Sequence, residues 1–82
     1  MINANQAVQI AGEYYKNIVS ERDDLRVEEV EIGDDGFWYV TLSVRDPYSP
    51  GFPPGKNKDL KIFRISAEDG NVKSMKIRKL DD

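Results

Sequence analysis

The 82-residue chain has 12 basic and 15 acidic residues, a formal net charge of −3, and neither cysteine nor histidine. Lacking both residue types, it has no route to disulfides, thiolate or imidazole metal sites, or histidine-based acid–base and triad chemistry. The expectation is a protein with no catalytic residues, no metal and no cofactor, and the absence of cysteine fits a reducing, cytoplasmic setting.

Asn3 followed by Gln6 forms a capping-box pattern and opens the first element. Ala4, Ala7, Val8, Ala11, Tyr14, Tyr15, Ile18 and Val19 then recur at helical spacing, with Ile10 at the border of the arc. Asn5, Gln6, Gln9, Glu13, Lys16 and Asn17 fill the opposite side, which predicts an amphipathic helix with one buried face. Gly12 lies at the edge of the apolar arc and costs about 1 kcal/mol against alanine. Close approach of a neighbouring side chain, with Trp38 as the candidate, would account for it.

Leu25–Ile32 reads as the first strand, but its alternation changes phase. Leu25 and Val27 share one parity, Val30 and Ile32 the other, and Glu28-Glu29 sits at the switch. A β-bulge there brings all four apolar residues to one face; the alternative is a strand that starts late, with Leu25 and Val27 in the approach. Gly33-Asp34-Asp35-Gly36 signals a hairpin. The second strand, Phe37–Arg45, alternates cleanly: Trp38, Val40, Leu42 and Val44 on one side, Phe37, Tyr39, Thr41, Ser43 and Arg45 on the other.

Asp46–Lys58 holds all four prolines and is long for a connection between strands. Asp59–Ser66 is the third strand. Leu60 and Ile62 have one parity, Phe63 and Ile65 the other; the second pair is taken as inward because Arg64 and Ser66 then face water. Glu68-Asp69-Gly70-Asn71 is a second tight turn. Val72–Leu80 is the last strand, with Met75 and Ile77 inward, followed by an acidic Asp81-Asp82 tail. Consecutive strands joined by hairpins pair antiparallel. The expected fold is a single α+β domain over residues 1–82, in two layers, with an N-terminal helix on a four-stranded antiparallel meander in the order α-β-β-β-β. No apolar run approaches the roughly 20 residues that cross a bilayer, and the first residues lack the basic and apolar regions of a signal peptide.

Three sets of residues are candidate contact surfaces. The Pro-rich segment, with Arg45, Tyr48, Phe52, Lys56 and Lys58, suits a protein partner, since prolines reduce the entropy lost on binding and aromatics anchor interfaces. Lys61, Arg64, Lys73, Lys76, Arg78 and Lys79 fall on the last two strands, and Arg64, Lys76 and Arg78 form an alternative nucleic-acid face. The overall acidity disfavours that alternative. Glu28, Glu29, Glu31, Asp34 and Asp35 belong to an acidic 21–35 region that could occupy a partner's basic groove as a small decoy, or simply keep an edge strand from aggregating. Residues 1–46 carry ten acids and four bases, residues 47–82 five acids and eight bases, a polarity that bears on partners. A monomer, or a homodimer formed through an edge strand, is compatible with this pattern.

Phe63-Arg64-Ile65-Ser66-Ala67-Glu68-Asp69-Gly70-Asn71-Val72 resembles the closing hairpin of PepSY-type domains, and the Ala7/Ala11 helix and Gly36–Val40 are similar to the rest of that cystatin-like pattern. The resemblance implies a small helix-on-sheet domain that inhibits proteases or serves sensory and envelope proteins. A second resemblance, to the gas-vesicle protein O family, runs through Trp38, Arg45-Asp46-Pro47, Phe63–Ile65, Gly70 and Arg78. The expected function, carried by the length, prolines and aromatics of the 46–58 loop rather than by either resemblance, is a non-enzymatic protein-interaction module, an inhibitor or an accessory subunit, that uses that loop.

Overall fold

The computed structural model describes residues 1–19, 21, 24–45 and 59–79. Its elements are α1 (Ala4–Ile18), β1 (Asp24–Ile32), β2 (Phe37–Arg45), β3 (Asp59–Ser66) and β4 (Val72–Lys79). All strand pairs are antiparallel and the sheet order is β1-β2-β3-β4, a meander with α1 laid across one face. The α+β architecture is therefore the one the periodicities dictate. Segment 46–58 and Leu80 fall outside the described residues.

The helix starts where its cap predicts. The Asn3 side chain accepts from the Gln6 N–H at 2.9 Å, and the Gln6 side chain accepts from the Asn3 N–H at 2.8 Å. The preceding residue ties the helix to the sheet: the Ile2 N–H donates to the Ala67 carbonyl at 2.8 Å, and the Ile2 carbonyl accepts from Trp38 Nε1 at 3.2 Å. The Ala67 N–H in turn donates to the Gly36 carbonyl at 3.1 Å, joining the two hairpin turns at the same end. The second turn passes close beneath the helix. At Gly70, whose φ is +77°, a Cβ would lie 3.2 Å from Ile10 Cδ1, so both conformation and space call for glycine.

Ala7, Ala11 and Tyr15 meet Val40, Leu42, Phe63 and Ile65 to form the buried core. The two alanines matter because small side chains let the helix backbone approach the sheet. In β3 the inward parity is that of Phe63 and Ile65, both fully buried. Phe63 stands in register between Val40 and Met75 and meets the Tyr14 ring edge-on, at 6.1 Å between centroids.

Of the two readings of β1, the bulge is the one found. Val27 pairs with Leu42 and Glu29 with Thr41, so Glu28 is the extra residue. Leu25, Val27, Val30 and Ile32 thereby share the helix side of the sheet. Sharing the face does not bury them equally: Leu25 packs against the core, whereas Val27, Val30 and Ile32 are exposed. The helix is narrower than the sheet, and an edge strand extends beyond its cover. Ile77 on β4 is exposed for the same reason; Ile18, the last residue of the helix, and Val19, its C-cap, are exposed as well.

Gly12 has a different explanation from the close contact expected of it. No atom lies within 4 Å of where its Cβ would be. The glycine instead lines a groove of about 380 Å³ on the α1–β1 side, together with Val8, Lys16, Asp24, Leu25, Val27 and Leu42. No described helix is long and apolar enough to cross a membrane.

Candidate interaction face

An antiparallel sheet with one face covered normally presents polar side chains on the other. Here the second face, which none of the described elements covers, departs from that rule. Because paired residues lie on the same side of a sheet, the register defines three rows across it. The first is Arg26, Ser43, Leu60 and Arg78; the second Glu29, Thr41, Ile62 and Lys76; the third Glu31, Tyr39, Arg64 and Ser74. Phe37, in register with Ser66, extends the face toward the hairpin turns. Phe37, Tyr39, Leu60 and Ile62 thus form a half-buried apolar centre. The β1 side is acidic. Glu28 belongs to it as well, since its carboxylate accepts from Ser43 Oγ at 3.2 Å.

The turn end of the face is the most ordered part chemically. The Arg64 guanidinium lies over the Phe37 ring, 3.9 Å from the centroid, and its Nη2 is 3.9 Å from Asp35 Oδ2. Stacking of this kind contributes about 0.5–1 kcal/mol at an exposed site. The Tyr39 hydroxyl donates to Asp35 Oδ2, and the Phe37 N–H donates to Asp35 Oδ1 at 3.2 Å. The first glycine of the hairpin makes this possible. A Cβ on Gly33 would lie 2.7 Å from Asp35 Oδ1 and 2.8 Å from Tyr39 Cε2, so a side chain there would push the pair apart. Arg64 Nε has no hydrogen-bond partner among the described residues.

The hydrogen bond from Tyr39 holds the Asp35 carboxyl below its ordinary value of 3.8, helped by the Phe37 N–H and the Arg64 charge. The same bond raises the Tyr39 hydroxyl above its ordinary 10.0. A depressed carboxyl stabilises the fold above its unfolded value, and the gain is lost as pH falls through the folded one. A raised phenol stabilises below its unfolded value, and the gain is lost as pH rises through the folded one. The link is therefore complete only between about pH 4 and 10. We expect the stability difference between wild type and Tyr39→Phe, from urea unfolding, to be flat in that window and to shrink on both sides. A difference unchanged at pH 3 would show that the bond contributes nothing.

The ladder divides the basic residues. Arg64 and Lys76 share the open face, and Arg78 is in register with Leu60 on that face's first row. Lys61 has the parity of Phe63 and lies half-buried on the helix side. Of the three residues of the nucleic-acid alternative, Arg64 is the one that stacks on Phe37 and faces Asp35 within the chain. Of the Pro-rich set, Arg45 pairs through its backbone with Asp24; Tyr48, Phe52, Lys56 and Lys58 lie outside the described residues. Leu60 and Ile62 were not among the expected contact residues. Their signal was present as the double apolar parity of Leu60–Ile65, which marks a strand with two apolar faces. The Asp35–Tyr39 bond had no such signal, because it depends on how the hairpin turns. No protein-family model, curated protein or solved structure matches the chain.

Proposed function

We propose that the chain is a non-enzymatic protein-interaction module whose contact surface is the open face of the sheet, flanked by the Pro-rich 46–58 segment that follows β2. The observation that supports it most is the apolar centre of Phe37, Tyr39, Leu60 and Ile62, left half-buried between charged flanks. Aromatics with an arginine stacked on one of them, and charges at the rim, are the composition of interface cores. The PepSY-like resemblance, with its inhibitory domains, agrees with a binding role.

The test is capture from the native host on the immobilised full chain. Ile62→Glu places a charge in the centre of the face without touching the core, so partner retention should be lost while the circular dichroism spectrum stays unchanged. Replacement of Asp46–Lys58 by Asn-Gly measures what the segment adds. Retention by the Ile62→Glu chain equal to wild type would overturn this reading. So would oligonucleotide binding that falls steeply with salt and disappears on substitution of Lys76 and Arg78.

A further inference from the structure

We infer that the occupant of the open face is a second copy of the chain, forming a two-fold dimer by sheet-on-sheet packing. The inference rests on the reading of that face as a contact surface, and adds the partner. The face is self-complementary about one particular axis. On it β1 presents Arg26, Glu28, Glu29 and Glu31, a net negative flank, while β4 presents Lys76 and continues to Arg78. A two-fold axis running parallel to the strands, between β2 and β3, turns one sheet over the other and reverses the strand order. It sets the acidic β1 of each copy over the basic β4 of its partner. In the first row Arg26 then faces Arg78, a like-charged pair that Glu28, held in that row at Ser43 Oγ, offsets; in the middle row Glu29 faces Lys76, and Thr41 faces Ile62; in the next row Tyr39 faces Arg64. An in-plane axis perpendicular to the strands would instead lay acid over acid and base over base.

The alternative homodimer, through an edge strand, meets that same penalty. Two β1 edges oppose glutamates, and two β4 edges oppose a strand carrying Lys73, Lys76, Arg78 and Lys79. Pairing β1 to β4 satisfies the charges but repeats without closing. Face-to-face packing closes after two copies and follows the aligned geometry of β-sandwiches. With strands about 4.8 Å apart and about 3.3 Å per residue, four strands of eight or nine residues give a face of roughly 19 by 26 Å. That is about 500 Å² per copy and about 1,000 Å² for the pair, at the lower bound of specific interfaces, so the dimer is a weak one.

The experiment is sedimentation equilibrium of the full chain across a micromolar-to-millimolar dilution series, with single and paired charge reversals. Wild type should associate reversibly to a dimer and no further. Glu29→Lys alone and Lys76→Glu alone should each weaken it about tenfold, because each places like charges together at two symmetric positions. The double variant should recover wild-type association. Within one chain these positions are three strand spacings apart, about 14 Å, beyond a screening length of about 8 Å at physiological salt. Recovery therefore reports contact between copies. A wild type that stays monomeric throughout would overturn the dimer, as would a double variant no better than the singles. A monomer whose open face becomes available only on Phe52→Ala would assign the face to the chain's own 46–58 segment, with the same consequence. These outcomes are separable from the interaction reading itself, which fails if Ile62→Glu leaves partner capture intact or if salt-sensitive oligonucleotide binding through Lys76 and Arg78 takes its place.

Discussion

Phe63→Ala should remove most of the protein's stability. The side chain is fully buried, is one of the largest in the core, and connects β2, β4 and the Tyr14 ring. Truncating a buried phenylalanine costs about 3–5 kcal/mol through lost transfer energy and the cavity left behind. A domain of 82 residues has about 4–12 kcal/mol in total. At roughly 4–8 °C per kcal/mol for a domain of this size, Tm should fall by at least about 12 °C, measured by thermal melting in circular dichroism. The adjacent residue is the control. Ile62→Ala, on the open face and only partly buried, should cost clearly less, about 1–2 kcal/mol, since fewer apolar atoms are lost and no enclosed cavity is left behind. Equal losses at the two positions would mean that the parity of β3 is not as described.

The second prediction contrasts two single-residue deletions. Removing a residue from the middle of a strand normally reverses the parity of everything on one side. Deletion of Thr41 does this to β2: either Trp38 and Val40 or Leu42 and Val44 turn outward. Val40 and Leu42 are both core residues. At about 2–5 kcal/mol for each large core side chain lost, no cooperative unfolding transition should survive. Deletion of Glu28 should behave in the opposite way. Glu28 is the bulged residue, and without it Leu25, Val27, Val30 and Ile32 alternate strictly along the strand. The loss is the contact with Ser43 Oγ and the local twist that the bulge supplies. The expected result is a folded chain within about 1 kcal/mol of wild type in urea titration followed by Trp38 fluorescence. A Glu28-deleted chain as disrupted as the Thr41-deleted one would show that the bulge is required for more than phase.

The local elements were legible because each depends on neighbours in the chain. Asn3 and Gln6 cap a helix through their own side chains; Trp38–Val44 alternates at the pitch of a strand; Gly33 and Gly70 punctuate the hairpins. The bulge was legible only as one of two readings of the phase change at Glu28-Glu29, the other being a strand that starts late; the register decided between them. The inward parity of β3 was harder, because Leu60–Ile65 is apolar on both sides. What broke the tie was the polarity of Arg64 and Ser66, and the cost was that Leu60 and Ile62 went unremarked as surface.

What the sequence determined by itself was periodicity: one amphipathic helix, four strands, their antiparallel order, and which residues share a face. Only the tertiary structure decided how far the helix reaches across the sheet. A single helix about 10 Å wide cannot cover four strands spaced about 4.8 Å apart, so Val27, Val30, Ile32 and Ile77 remain exposed on the nominally inner side. Tertiary structure also brought Asp35, Phe37, Tyr39 and Arg64 into one cluster, since contacts across a hairpin and between strands depend on register and twist rather than on any local pattern. The same registration placed Glu29, Thr41, Ile62 and Lys76 in one line across the open face. Read along the chain, the charges were merely divided between two halves. Across the sheet they become opposite flanks of one surface, because a meander converts sequence order into lateral position.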